Sequence, residues 1–288
     1  MSLLIIVLLS LAALLTLLFL GLPVAFAMAL VGVVGLWIQG GIGPVQGLLG
    51  TVPYSVVASF SLVVIPMFVL MGELVASAGF ARQAYATARA WLGRLPGGLT
   101  MAAIVASALF AAVSGSSVAA TATMGRLTIA EMRRYGYDGG LAAGTVVVAG
   151  TLAALIPPSA MAVFYALVTD QSVSKMLIAG MGPGIVSALL LMLTAYLVAR
   201  FFPHYSPVLE KRVEFREKVA SLRSVGPFGV LILVVLGGIY SGLVTVTEAS
   251  AIGALVAFLL LAVTRQLRWS SLNQALTSSV KTSCMIYL

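Results

Sequence analysis

Long apolar runs alternate with short basic islands along this chain, and the pattern predicts several membrane spans. A transmembrane helix needs about 20 consecutive apolar residues. Spans are predicted over the following runs: Leu3–Leu20, Val24–Ile38, Val56–Ala76, Met176–Phe202, Pro227–Gly242 and Ala249–Thr264. The predicted fold class is therefore an all-α polytopic integral membrane protein.

Two further apolar stretches do not fit a simple span. Pro96–Gly125 is too long for one upright helix and too short for two, and the sequence Ser-Gly-Ser-Ser at 114–117 interrupts its middle. Leu141–Thr169 contains Pro157-Pro158, and proline removes a backbone donor and clashes with the preceding turn. We predict a re-entrant hairpin over 96–130 and a helix broken into two halves over 141–169.

Composition and charge support a membrane protein. The chain of 288 residues is 61% hydrophobic and only 8% charged, whereas a soluble domain carries roughly 25% charged residues. A net charge of +8 would suit nucleic-acid binding, but the basic residues concentrate in four islands, as they do in cytoplasmic loops. The islands are Arg82, Arg89 and Arg94; Arg126, Arg133 and Arg134; Arg200–Arg223; and Arg265 and Arg268.

Placing all four islands in the cytoplasm sets the topology. The N-terminus then lies on the outer side, and both ends of the hairpin face the cytoplasm. Residues 81–95, with Tyr85 and Trp91 among the arginines, predict an amphipathic helix at the interface. Glu210–Arg223 predicts a cytoplasmic surface helix that connects two halves of the protein.

A new apolar run begins near Met285, so we expect a truncated protein or a partial sequence.

The residue types present exclude several functions. A single cysteine, Cys284, excludes a disulfide framework, and a single histidine, His204, excludes a histidine-cluster metal centre within the chain. Ser114 or Ser116 could be proposed as a protease nucleophile, which needs a histidine within reach. His204 follows Pro203 at a predicted helix end far from the hairpin tip. No G-x-x-x-x-G-K-[ST] motif occurs, so we expect no enzyme, and transport driven by an ion gradient or a partner.

The two backbone breaks are the candidate binding site. In transporters with broken helices, unwound carbonyls and half-helix C-termini coordinate sodium, and half-helix N-termini face anionic groups. The candidates are Ser114, Gly115, Ser116, Ser117, Thr121 and Thr123 on the hairpin, and Gly150, Thr151, Ile156, Pro157, Pro158 and Ser159 at the break. Small residues also permit close helix packing in lipid. Two breaks about 40 residues apart favour the ion site over packing alone.

Three acidic residues require separate treatment. Glu73 lies near the end of an apolar run, and it is either an interfacial helix-end residue or a buried functional acid. Glu248 follows Thr245 and Thr247, a pattern typical of a helix N-cap with an acid in the first turn. Asp170 is predicted to lie in a solvated outer loop.

The motifs together resemble the large membrane subunit, of the DctM type, of tripartite ATP-independent periplasmic (TRAP) transporters. The resemblance covers essentially the whole chain. It rests on Ile65–Phe68 with Gly72-Glu73, Gly97–Leu99, Val113–Ala119, Glu131-Met132, Tyr135–Tyr137, Gly150–Leu152, Ile156–Ser159, Pro183-Gly184 and Thr247–Ala249.

The resemblance implies a sodium symporter that imports an organic acid, such as a C4-dicarboxylate, sialic acid or a related carboxylate. It implies an elevator mechanism in the bacterial inner membrane, with a periplasmic N-terminus, a small Q-type subunit and a periplasmic solute-binding protein. Sodium, the only ion implied, would bind near Ser114, Ser116, Ala153, Ile156 and Pro158, mainly through carbonyl oxygens; no cofactor is implied.

The resemblance also implies a domain order. The ranges are 1–80 for scaffold spans, 81–95 for the interfacial arm, 96–170 for the first transport repeat, 171–224 for the return span and connecting helix, and 225–288 for an incomplete second repeat. Ala153 stands where the family usually has glycine, and Leu243–Ala249 departs from F-T-P-T-E-A. The second hairpin is not in this chain, so the alternative function is a non-transporting scaffold or an inactive truncated paralogue.

Overall fold

The computed structural model describes residues 3–207, 214–264 and 267–287, which are helical and contain no strand. This confirms the all-α class. Glu210, Lys211, Arg212 and Arg265 of the predicted basic islands lie outside the described residues. The α-helices are α1 Leu3–Phe19, α2 Val24–Gly40, α3 Ile42–Val57, α4 Val64–Ser77, α5 Phe80–Leu92, α6 Gly98–Ser114, α7 Ser117–Arg134, α8 Gly139–Gly150, α9 Ala160–Val168, α10 Val173–Phe201, α11 Phe215–Ser241, α12 Val246–Val263 and α13 Trp269–Tyr287.

Four of these segments are long and apolar enough to cross a membrane, judged by length and composition. They are Phe60–Ser77, Val173–Phe201, Phe215–Ser241 and Val246–Val263. The shorter apolar helices include Ile5–Phe19, Val24–Gly40, Gly98–Ser114 and Gly139–Ala154. The last two belong to the predicted hairpin and to the predicted broken helix.

The chain divides into two compact units at Phe60. The first unit contains α1, α2 and α3, packed in sequence, together with the last residues from Cys284. The predicted span Val56–Ala76 is wrong at its start, because α3 is a separate helix and a 3-10 turn at Phe60–Val63 leads into α4. The glycines and prolines of 43–53 hid α3 from the hydrophobic pattern. Pro53 nevertheless lies inside the helix.

The second unit, Ser61–Ser283, holds both predicted breaks. α6 and α7 form the hairpin, with only Gly115 and Ser116 between them. The predicted broken helix is α8, then a 3-10 segment at Thr151–Ala154, then α9. A hairpin and an interrupted helix are therefore present where the sequence predicted them.

Two predictions about the second half require correction. The connecting helix and the span Pro227–Gly242 are one continuous helix, α11, which includes Pro227. The pattern treated this proline as a boundary, although the helix tolerates it. After Arg268, the sequence predicted an apolar run only from Met285, but α13 begins at Trp269. Its many serine, threonine and asparagine residues hid it from the apolar pattern.

The amphipathic arm, α5, is packed inside this unit. It contacts α6 and α11, and Phe80 at its start is fully buried. The Phe80 ring lies 4.4 Å from the ring of Phe228 and 6.4 Å from that of Phe110, measured between centroids. This cluster joins α5, α6 and α11.

We predict that Phe80→Ala destabilises the protein by about 3–5 kcal/mol, because it removes a fully buried ring and leaves a cavity. The measurement is the midpoint of thermal unfolding in detergent, followed by loss of the monodisperse chromatographic peak. Phe201→Ala is the matched control, because the Phe201 side chain is 72% exposed. Equal shifts in the two variants would contradict the role of the aromatic cluster.

Candidate functional site

The hairpin tip is built by one glycine and one capping serine. Gly115 has a φ of +60°, a left-handed conformation that glycine adopts without steric cost. Ser116 is extended, and its hydroxyl accepts a hydrogen bond from the Ala119 amide at 3.3 Å. The sequence Ser-Gly-Ser thus ends α6 and starts α7 within two residues.

The tip contacts the broken helix directly. The Ala160 amide, at the start of α9, donates a hydrogen bond to the Gly115 carbonyl at 3.1 Å. A β-carbon on Gly115 would lie 2.6 Å from the Pro158 carbonyl oxygen, too close for any side chain. Ser159 is fully buried and caps α9 by accepting from the Ala162 amide. The two breaks predicted from sequence therefore meet.

Glycines allow two further close contacts around the hairpin. A β-carbon on Gly72 of α4 would lie 2.6 Å from the Ser114 Cα, and one on Gly150 would lie 1.9 Å from the Thr121 hydroxyl oxygen. Small residues thus permit close packing here, as one interpretation of the sequence expected. Close packing does not fill the space beside the tip.

A cavity of about 170 Å³ lies beside the tip, between α4, α6, α7 and α13. Its walls combine apolar and polar side chains. The polar ones are Glu73, Ser114, Ser116, Thr123, Arg126, Gln274 and Ser278. The cavity can therefore offer hydroxyl oxygens, an amide, a carboxylate and a guanidinium to one small polar solute.

The Ser114 hydroxyl has no hydrogen-bond partner among the described residues, although the residue is only 5% exposed. A buried polar group without a partner costs about 1–3 kcal/mol. Because Ser114 lines the cavity, a bound cation or solute can satisfy this oxygen. This is the clearest local sign of a binding site.

Two opposite charges also line the cavity without forming an ion pair with each other. Within the described part of the chain, the recorded ion pair is Arg89–Glu131, which joins α5 to α7. Arg126 donates from its Nε to the Ala122 carbonyl at 3.2 Å, which leaves its terminal nitrogens available. No hydrogen bond to the Glu73 carboxylate is recorded in the described segments.

Sequence reasoning missed most of these charged and amide groups. Arg126 was assigned to a basic island, and Gln274 and Ser278 lie on the unpredicted α13. A helical signal could have found Arg126, because Ser116, Ala119, Thr123 and Arg126 recur at spacings of three and four and so share one face of α7. Glu73 was left open between two roles, and it lines the cavity.

The remaining predicted residues are divided between the cavity and the break. Ser114, Ser116 and Thr123 line the cavity, whereas the Thr151 hydroxyl bonds its own helix at Val148. Ala153 and Ile156 are buried, and Ile156 packs beside Gly184 of α10. Residues placed at the break or the tip but absent from the cavity wall are Gly115, Ser117, Thr121, Gly150, Thr151, Ala153, Ile156, Pro157, Pro158 and Ser159.

No group of three or more histidine, cysteine or acidic side chains suited to a metal ion occurs in the described ranges. Glu73 is the acidic side chain on the cavity wall, and the other oxygen ligands that a cation could find there are carbonyls and hydroxyls. Such oxygens suit a hard cation. The unpartnered Ser114 hydroxyl and the free carbonyl groups at the C-terminal end of α6 are oxygen ligands of this kind.

The structure shows the surroundings of two residues that the sequence singled out, Glu248 and His204. Glu248 forms a capping box with Thr245: the Glu248 amide donates to the Thr245 hydroxyl, and the Thr245 amide donates to the Glu248 carboxylate at 2.8 Å. The predicted capping role is confirmed.

His204 lies beside Tyr205, whose carbonyl accepts a hydrogen bond from the Asp138 amide. Asp138 follows the far end of α7, a helix of 18 residues that is about 27 Å long, so His204 does not pair with a serine at the tip.

With this geometry established, comparison with known proteins identifies the family. Residues 11–288 match the family described as "Tripartite ATP-independent periplasmic transporter, DctM component". The chain belongs to this family. The resemblance seen in its motifs is confirmed, and the protein is a multi-pass membrane component of a transporter permease rather than an enzyme.

Known relatives are similar over most of this DctM-family chain. The C4-dicarboxylate TRAP transporter large permease protein DctM of Pseudomonas aeruginosa is 43% identical over 228 residues, which cover 79% of this chain and 53% of the relative. The sialic acid TRAP transporter large permease protein SiaM of Vibrio cholerae is 31% identical, covering 94% of this chain and 63% of the relative.

A third relative has a name that combines two subunits. The isethionate TRAP transporter permease protein DctMQ of Oleidesulfovibrio alaskensis is 30% identical over 269 residues, which cover 92% of this chain and 41% of the relative. The chain thus spans about half the length of the curated relatives it matches.

We predict that Gly115→Ala destabilises the hairpin tip by at least about 1–3 kcal/mol, because it combines a left-handed residue with a clash against the Pro158 carbonyl. The measurement is the thermal unfolding midpoint in detergent. Gly144→Ala is the control, since a β-carbon there meets nothing within 4 Å and alanine favours a helix interior. A Gly115→Ala variant as stable as the Gly144→Ala variant would show that the tip does not need glycine.

Proposed function

We propose that this chain forms part of a sodium-coupled TRAP transporter that imports an organic acid across the bacterial inner membrane. The observation that carries the proposal is the cavity beside the hairpin tip. It combines an arginine with free terminal nitrogens and a buried, unpartnered serine hydroxyl at the tip of the α6–α7 hairpin. The N-terminus is proposed to be periplasmic.

The anionic part of the substrate is proposed to bind Arg126. A guanidinium presents its donors in a planar fork that matches a carboxylate. Ser116 and Thr123 lie on the same wall. The N-terminal end of α7 starts at the tip, and its partial positive charge favours an anion. The Glu73 carboxylate on the facing helix α4 repels a second negative charge. The carboxylate of the substrate therefore needs a cation bound beside it.

Sodium is proposed to supply that charge. Its ligands would be the Ser114 hydroxyl and the carbonyl oxygens of two segments. These segments are the C-terminal turn of α6 and the break between α8 and α9. The negative end of the α6 dipole lies at this point. Ser114, Ser116, Ala153, Ile156 and Pro158 remain the proposed sodium set. Carboxylate and sodium would thus stabilise each other's binding, which is the basis of symport.

The relatives differ in the solutes that their names record, which include C4-dicarboxylate, sialic acid and isethionate. We propose only the shared class, a small organic anion, for this chain. The further proposals are a small Q-type subunit, a periplasmic solute-binding protein that delivers the substrate, and an elevator movement of the hairpin unit. Membrane lipid surrounds the apolar helices.

Uptake in proteoliposomes tests this function. The intact transporter containing this chain, reconstituted with its small subunit and binding protein, is expected to accumulate radiolabelled succinate or N-acetylneuraminate only with an inward sodium gradient. An equal inward potassium gradient is the control. Uptake driven equally by potassium would refute sodium coupling, and absence of carboxylate uptake under both gradients would favour the scaffold alternative.

A pair of serine variants tests the ion site. Ser114→Ala is expected to raise the sodium concentration for half-maximal uptake by roughly tenfold, the effect of losing a ligand to a charged group. Ser107→Ala is a closely matched control, because Ser107 is also a fully buried, unpartnered hydroxyl on α6 but does not line the cavity.

If Ser114 only permits close helix packing, the two serine variants are expected to behave alike. If the hydroxyls serve no ligand, both alanine variants remove an unsatisfied buried group, and both should leave the sodium dependence unchanged. Thermal stability is measured alongside, so that a folding defect in either variant is recognised. A sodium dependence unchanged in Ser114→Ala would remove Ser114 from the ion site.

A further inference from the structure

A second cavity, of about 460 Å³, adjoins the first along the same two helices. We call it the lower cavity. It is lined by the C-terminal end of α4, the turn at Gly79, the first turn of α5, and the middle of α7. Ala76, Thr123 and Arg126 line both cavities, so these residues form the boundary between two successive compartments.

The lining residues shift in the same direction on both helices. On α4 they move from 69–76 in the first cavity to 76–79 in the second, and on α7 from 119–126 to 123–127. Both shifts run away from the hairpin tip toward its open end. At 1.5 Å per residue, the centres of the two linings differ by roughly 4–8 Å along the helices. The lower cavity therefore adjoins the first on the side of the open end.

The charges differ sharply between the two cavities. Glu73 and Arg126 both line the first, whereas the charged residues lining the lower cavity are Arg82 and Arg126. Neither arginine forms an ion pair with any described residue, and Arg126 retains its terminal nitrogens. Two positively charged guanidinium groups that line the same cavity repel each other. An anion bound between them offsets that repulsion.

Further polar groups complete the lower cavity. Ser77, Gln83 and Thr123 line it. Arg82 and Arg126 line the same cavity, and the turn that leads from α4 into α5 depends on Gly79, which has a φ of +70° and a β-carbon position in open space. The chain thus reverses between α4 and α5 so that both arginines face the same compartment.

We propose that the lower cavity is a second carboxylate-binding site, which receives the transported anion from the first cavity before release. This inference rests on the proposed function. Arg126 lines both compartments, so it can keep one carboxylate oxygen bound while Arg82 engages the other. The absence of a lining carboxylate in the lower cavity removes the opposition that Glu73 supplies in the first. Arg82 is then a residue of the release path, separate from the ion site.

Protection from phenylglyoxal, a reagent that modifies unpaired arginines, tests the site directly. The intact transporter is placed in phosphatidylcholine nanodiscs, and modification of each arginine is quantified by mass spectrometry with and without excess succinate. Succinate is expected to slow modification of Arg82 and Arg126 roughly three- to fivefold, the range for a partly exposed charge pair. Arg134, exposed and outside both cavities, is the control.

A lipid headgroup could offer the same oxyanion chemistry, and the lipid composition separates the two sources. Protection of Arg82 by phosphatidylglycerol nanodiscs without any effect of succinate would overturn the proposal in favour of a lipid site. Equal protection of Arg82, Arg126 and Arg134 would show a general ionic effect and would also overturn it. So would the absence of protection.

A transport measurement tests the position of the site on the path. Arg82→Gln is expected to lower the turnover rate of uptake about three- to fivefold while KM changes less than about twofold. Arg134→Gln makes the same charge change and should leave both parameters unaltered. An unchanged turnover rate in Arg82→Gln overturns the release role. Protection at Arg82 and dependence on sodium are measured separately, so failure of sodium coupling is distinguishable from failure of this site.

Discussion

The contact between two interrupted helices is the constraint on which the rest of this structure depends. Backbone amides and carbonyls left free inside a bilayer must be satisfied by protein or must line a cavity. At this contact the Ala160 amide is satisfied by the Gly115 carbonyl, and two serines cap the helices that follow the breaks. The Ser114 hydroxyl, which has no hydrogen-bond partner among the described residues, lines the cavity.

Close packing and the cavity beside the tip are therefore consequences of the same sequence feature. Gly72, Gly115 and Gly150 bring backbone to within distances that no side chain permits, which fixes α4, α6, α7 and the break around one point. Rigid walls then leave a small cavity of defined shape. The alternative interpretations of the Ser-Gly-Ser-Ser sequence, as packing device or as site, are thus compatible in physical terms.

The sequence predicted the features that depend on local backbone chemistry. The left-handed glycine of the Ser-Gly cluster and the paired prolines Pro157-Pro158 each interrupt a helix locally, so the hairpin and the break were predictable. α3 and α13 were missed because glycine, proline and hydroxyl residues weaken the apolar signal that was used to find spans. Arg126 was assigned to a loop because charge predicts the side of the membrane, whereas its role depends on a helical face. Which helix supplies the opposite wall is a tertiary fact that no local pattern encodes.

Arg126 lines both cavities. Its Nε is held by the Ala122 carbonyl on its own helix, so the base of the guanidinium is fixed while the terminal nitrogens face two compartments. With Glu73 lining only the first compartment and Arg82 only the second, the electrostatic preference for an anion increases from tip to open end. On the proposed function, a carboxylate bound with sodium at the tip would meet electrostatic opposition from Glu73 once the cation left. The lower cavity, lined by Arg82 and Arg126 and by no acidic side chain of the described residues, would then be the favoured position, and this difference in lining charge would give release a direction.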